Sequence, residues 1–100
     1  MPAASSNGSG AAVAASLAAL GLGTDSLGSV RGPARVHALV GLRPTYGLFD
    51  NTGVLPLAPS VDTLGPLGRR ASDVEIVMSV LAPGHGFGIG RPTVGPCSGL

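Results

Sequence analysis

The side chains in this chain that could do chemistry are serines: Ser5, Ser6 and Ser9 in a run of small residues, and Ser29 in a Gly-containing turn. A serine hydroxyl is a poor nucleophile near neutral pH and acts only when a neighbouring base takes its proton. Bases are scarce here. The chain has no lysine; its six basic side chains are arginines at 31, 35, 43, 69, 70 and 91, and a guanidinium cannot accept a proton. His37 lies between Val36 and Ala38 on an expected helix and reads as a packing histidine, while His85 has no motif around it. Taken singly, Ser29 reads as a turn or capping residue, Ser5 and Ser6 as solvated loop, and Ser9 as a cap for the helix that follows. The single cysteine, Cys97, excludes an internal disulfide framework and a Cys-rich zinc site, and reads as an ordinary free thiol.

The elements that must position these serines can be read from pattern. Residues 1–10 are small and polar and predict a loop. A helix is expected from about Gly10 to Leu20, with Val13, Leu17 and Leu20 on one face. Its other face is alanine rather than charge, which predicts cover on several sides. Gly21–Thr24 suits a short buried strand, and Asp25–Arg31 a Gly- and Ser-rich turn. Gly32-Pro33 can open a short helix, since proline is tolerated in a first turn. Val40–Leu42 reads as a brief strand stopping before Pro44, and Val54-Leu55 as a further extended piece. Residues 56–68, with three prolines and two glycines, predict loop. Ser72 and Glu75 have capping-box spacing. Val74, Val77, Met78 and Leu81 then form one apolar helical face, which Pro83-Gly84 closes. Glycine recurs at 84, 86, 88 and 90 with no strand before it, so a dinucleotide-binding loop is not supported. Residues 84–100 read as a Gly/Pro-rich tail.

Composition narrows the class further. Apolar residues make up 44% of the 100, yet only Tyr46, Phe49 and Phe87 are aromatic. Charged residues reach 11%, against about a quarter in an ordinary self-standing domain. This predicts an interior piece of a larger α/β enzyme rather than an independent domain. The net charge of +1 and the lack of a basic patch with interleaved aromatics give nucleic-acid binding no support. The apolar run from Gly10 to Gly23 is too short for a membrane span, which needs about 20 residues, and no positive charge precedes it as a secretory signal requires. The expectation is a cytoplasmic protein without cofactor or metal. Its oligomeric state is left open.

The ordered motifs change the weight of the serines. Ser5-Ser6-Asn7-Gly8-Ser9-Gly10 and its Ala-rich continuation are followed by Gly21-Leu22-Gly23-Thr24-Asp25-Ser26-Leu27-Gly28-Ser29-Val30-Arg31-Gly32-Pro33. Together they resemble the amidase signature family, whose pattern runs from a Gly/Ser-rich loop through an Ala-rich helix to Gly-x-Gly-Thr-Asp-x-Gly-Gly-Ser-Ile-Arg-x-Pro. Ser5 and Ser29 stand 24 positions apart, the spacing of that family's two serines. The similarity continues through Val40–Gly47, Gly53–Leu57 and Ser60–Leu67, and covers about residues 3–82. It implies an α/β fold, part of a mixed β-sheet core flanked by helices and incomplete in this chain, with the partial domain at residues 1–83. It implies hydrolysis of carboxylic amide C–N bonds of a small molecule through an acyl-serine intermediate. By position Ser29 is the implied nucleophile and Ser5 the bridging serine, preceded by a cis peptide from Ala4. Backbone N–H groups of Ser26, Leu27, Gly28 and Ser29 form the implied oxyanion hole. Asp25 and Arg31 are expected to brace the turn as a salt bridge.

The chain also departs from that pattern. The family's general base is a neutral lysine, and none is present, so the chain alone is expected to be inactive and marginally folded, as a fragment or truncated form of an amidase. Leu27 occupies a usually small position and is tolerable only with negative φ. Ala3, Ala4 and Asn7 replace glycines or small residues of the first loop. The competing reading is a non-catalytic amidase-like binding or scaffold protein. Within the enzyme class, a simple amidase is favoured over one component of an assembly acting on aminoacyl-tRNA.

Overall fold

In the computed structural model, which describes residues 3–87, three strands and three helices follow one another as α1 (Asn7–Ala14), β1 (Leu20–Asp25), α2 (Arg31–Val36), β2 (Val40–Gly41), β3 (Thr63–Gly68) and α3 (Ala71–Leu81). The sheet order is β1-β3-β2 and both pairings are antiparallel, with Leu22 opposite Pro66 and Gly41 opposite Leu67. The central strand is therefore drawn from residues 56–68, for which the prolines and glycines predict loop. Pro66 is accommodated by strand geometry. A residue in an antiparallel strand points its N–H and C=O to the same neighbour. The Pro66 carbonyl accepts from Leu42 N–H at 3.1 Å, so its missing N–H also faces the β2 side, where the two-residue β2 has already ended.

Alternation along β3 divides the core. Leu67 meets Val30, Ala34 and Leu39 on one face, with α1 on the same side through the contact of Val13 with Gly21. Leu64, three positions from Leu67 and so on the opposite face, packs with Phe49, Val74, Met78 and Ala82. Helices thus cover both faces of the sheet. Val74, Val77 and Met78 are the buried stripe of α3. That helix begins earlier than its spacing suggests, because Asp73 rather than Glu75 reaches back to accept the Arg70 backbone N–H at 3.2 Å.

The first helix is shorter and earlier than predicted. It ends after Ala14, Ser16 adopts φ 60°, and Leu17 is 83% exposed while Leu20 begins β1. Of the three residues assigned to one face, only Val13 is buried. The capping hydroxyl expected of Ser9 is inside the helix instead. Arg69 gathers the released chain by donating to the carbonyls of Val13 and Ala18 at 2.8 and 2.9 Å.

Candidate active site

Asp25, the last residue of β1, is the fixed point of the turn that carries Ser29. Its side chain is fully buried. Oδ1 accepts from Gly28 N–H at 2.7 Å, and Oδ2 accepts from the N–H groups of Val30 and Arg31, both at 3.2 Å. The Arg31 guanidinium adds Nε at 3.0 Å and Nη2 at 3.1 Å. Burial pushes this carboxyl up, but the side-chain bond from Arg31 and the backbone bonds from Arg31, Gly28 and Val30 outweigh it and hold the pKa at about 2. The carboxylate thus acts as a template, folding residues 25–31 around itself. Gly28 takes φ 123°, a conformation only glycine adopts at little strain. Leu27 avoids positive φ, which answers the steric question its type raised, and its side chain is 93% exposed.

A second buried carboxylate braces the turn from outside. The Ser26 hydroxyl donates to Asp62 Oδ1, and Asp62 Oδ2 accepts from the N–H groups of Leu57 and Ala58 at 2.8 and 2.9 Å. The Ser26 bond, followed by those backbone bonds, outweighs desolvation and lowers the Asp62 pKa. Arg43 closes the bracket, donating to the Asp25 carbonyl at 3.3 Å and the Val61 carbonyl at 2.9 Å. Asn51 donates to the Asp62 carbonyl at 3.0 Å, but its own Oδ1 is buried without a partner among the described residues. The sequence points to Ser26 only for its backbone, and it does not point to Asp62, Arg43 or Asn51 as site residues at all. The Ser60–Leu67 motif contains the signal for Asp62, but its distance of 36 residues from Ser26 hides the pairing.

Ser29 lines an open cleft of about 550 Å³ together with Ala3, Ala4, Leu27, Arg31 and Arg35. The first loop is held against the turn by the Ser6 N–H, which donates to the Ser29 carbonyl at 3.2 Å. Ser6 is buried, whereas Ser5 is exposed and makes no side-chain hydrogen bond to Ser29 among the described residues. The Ala4–Ser5 bond is trans, as are all described peptide bonds. This corrects the cis geometry the resemblance implied. Trans is favoured by roughly 2.5–4 kcal/mol for such a bond, and no described contact imposes the alternative. Of the four implied oxyanion donors, the Gly28 N–H is already committed to Asp25. The N–H groups of Leu27 and Ser29 have no acceptor among the described residues.

His37 meets its expectation as a packing residue near Gly10, with Nε2 3.0 Å from Asn7 Oδ1. Among the described residues no group of three or more His, Cys, Asp or Glu could hold a metal ion, and no helix is long and apolar enough to cross a membrane. Cys97 and most of the tail, residues 88–100, lie outside the described residues.

Fold and site together define an α/β core in which a serine sits on a carboxylate-templated turn beside an open cleft. The chain belongs to the amidase family, matching it over residues 1–85, and its fold is part of the amidase core. A glutamyl-tRNA(Gln) amidotransferase subunit of Symbiobacterium thermophilum is 50% identical over 82 residues, which are 82% of this chain and 17% of that protein. An amidase family protein from Bacillus anthracis strain Ames has a TM-score of 0.77 at 40% identity, over 79% of this chain and 16% of that one. A 6-aminohexanoate cyclic dimer hydrolase, solved with substrate, has a TM-score of 0.71 at 36% identity, over 88% and 20%. The chain therefore spans about a sixth of the length of the curated relatives it matches.

Proposed function

We propose that this segment supplies the nucleophile and oxyanion turn of an enzyme hydrolysing carboxylic amide C–N bonds, with Ser29 attacking the carbonyl carbon. The carrying observation is Ser29 at the end of a turn templated by buried Asp25, facing a cleft, in a chain of the amidase family. In this reading Ser29 Oγ adds to the carbonyl and the free N–H groups of Leu27 and Ser29 receive the developing oxyanion. Losing one such donor typically costs about a hundred- to a thousandfold in rate. Ser5 relays the proton toward a lysine supplied by sequence outside these residues, and the chain alone is inactive because it contains no lysine. Asp25 and Arg31 hold the turn and take no part in bond making.

The amidotransferase components among the relatives favour a second reading, in which the amide nitrogen is released for transfer within a protein assembly. Both readings share the Ser29 chemistry. To test it, residues 3–82 replace the matching segment of the Symbiobacterium relative, and amide hydrolysis is followed. The expected result is a hydrolytic chimera that loses at least about a thousandfold in kcat on Ser29→Ala. A folded chimera indifferent to Ser29→Ala would overturn the proposal.

A further inference from the structure

His37 closes α2 at the end opposite the serine turn. Its backbone N–H donates to the Pro33 carbonyl at 3.0 Å, and Ala38 follows with φ 54°. The half-buried ring turns back across α1. A Cβ at Gly10 would stand 3.0 Å from His37 Cδ2 and 3.2 Å from Pro33 Cβ, so the two helices approach this closely because residue 10 is glycine. His37 Nε2 stands 3.0 Å from Asn7 Oδ1. A carboxamide oxygen only accepts, so Nε2 carries the proton and donates. Among the described residues this is the one hydrogen bond made by a side chain of residues 3–10. Two other contacts hold the same loop, and both act at Ser6. Its N–H donates to the Ser29 carbonyl at 3.2 Å, and its hydroxyl fills the space a side chain at Gly23 would need.

We infer, resting on the proposed relay from Ser29 through Ser5, that His37 is a positioning residue whose bond to Asn7 fixes the loop carrying Ser5 against the helix into which Ser29 leads. α2 is six residues long, so the turn before it and His37 after it move as one body. Asn7 lies two positions from Ser5, and the bond passes the placement of that body to the relay hydroxyl. Placement matters because a proton moves between two hydroxyls only when their oxygens come within about 2.6–3.2 Å. A misplacement of about 1 Å can cost about a hundredfold in rate. His37 does not line the cleft with Ser29, and its Nε2 proton is engaged by Asn7, so it acts through the loop rather than on the reacting atoms.

The chimera carrying residues 3–82 contains both partners and serves as the test. His37→Phe keeps a ring over Gly10 and removes the donor. His37→Gln keeps a donor, since its amide nitrogen reaches the place of Nε2. His37→Phe is expected to lower kcat roughly ten- to a hundredfold with KM changed less than about twofold, and His37→Gln to recover most of the loss. Asn7→Ala should match His37→Phe without touching the packing over Gly10, and the double variant should be no worse than either, because both remove one bond. In a Ser5→Ala background His37→Phe should cost nothing further, since no relay hydroxyl is left to place. A residue that only stabilised the contact of α1 with α2 would cost the same with and without Ser5. Unchanged kcat in His37→Phe and Asn7→Ala, no recovery in His37→Gln, or a full additional loss in the Ser5→Ala background would each overturn the inference. The nucleophile is read by a different variant. Turnover indifferent to Ser29→Ala sinks that reading and the relay with it, whereas Ser29-dependent turnover indifferent to His37→Phe and Asn7→Ala sinks the positioning role alone.

Discussion

Asp25 satisfies three backbone N–H groups and one guanidinium from a single carboxylate. Removing it leaves several donors unpaired, each worth about 1–3 kcal/mol when buried. Asp25→Ala is therefore expected to abolish the cooperative thermal transition seen by circular dichroism. The pKa of about 2 also fixes an acid limit. A folded-state pKa below the unfolded value, about 3.9, means the unfolded chain takes up the proton first as pH falls. The Asp25 contribution is then complete above about pH 4 and lost progressively down to about pH 2. Asp62 is shifted the same way and adds to the loss. Urea midpoints measured across that interval should fall, and midpoints flat in pH would contradict this account. Ser26 gives a subtler test, since its hydroxyl connects the turn to Asp62. Ser26→Ala should lower the kcat of the chimera about tenfold with KM little changed, because the turn is loosened while the cleft is kept.

At the level of elements, β3 decides most of the packing, because helices press on both of its faces. Met78 is 1% exposed, at the centre of the contact between α3 and the sheet. Truncating it should lose about 2–5 kcal/mol, as other buried large-to-alanine changes do, read from urea denaturation of Met78→Ala. Gly65 in β3 is constrained differently. A Cβ there would run into the backbone carbonyl oxygen of Leu42, which cannot swing away as a side-chain tip can. Gly65→Ala is expected to separate β3 from the Leu42 segment and to cause a larger loss than Met78→Ala in the same assay. α3 was legible because its apolar stripe follows the helical period. β3 was not, since its Gly-Pro content mimics a loop. Only the ending of β2 beside Pro66 makes that content acceptable in a central strand.

For the molecule as a whole, the fraction of the relatives' length that it spans governs expectations. Leu20, Leu22, Ile76 and Val80 lie exposed at one end of β1 and along α3, and 11% charge leaves little to solvate them. The 100-residue chain treated with a fluorophosphonate probe is expected to show no added mass at Ser29, because it contains no lysine and the base proposed for that hydroxyl lies outside it. Labelling that disappears in Ser29→Ala would show that a base is supplied from within the chain and overturn the claim of inactivity.

The sequence by itself determined the family, the α/β class, the position of Ser29 and the lack of a lysine, because each depends on residue type and spacing along the chain. It also made the pairing of Asp25 with Arg31 legible, since the two are only six residues apart. Three things were decided by tertiary structure alone: the bond from Ser26 to Asp62, the commitment of the Gly28 N–H to Asp25, and the sharing of one cleft by Arg35 and Ser29. Each depends on where separate segments meet, or on which of several available donors a buried carboxylate captures. Local patterns record what a residue can do; burial and long-range packing select which of those possibilities is realised.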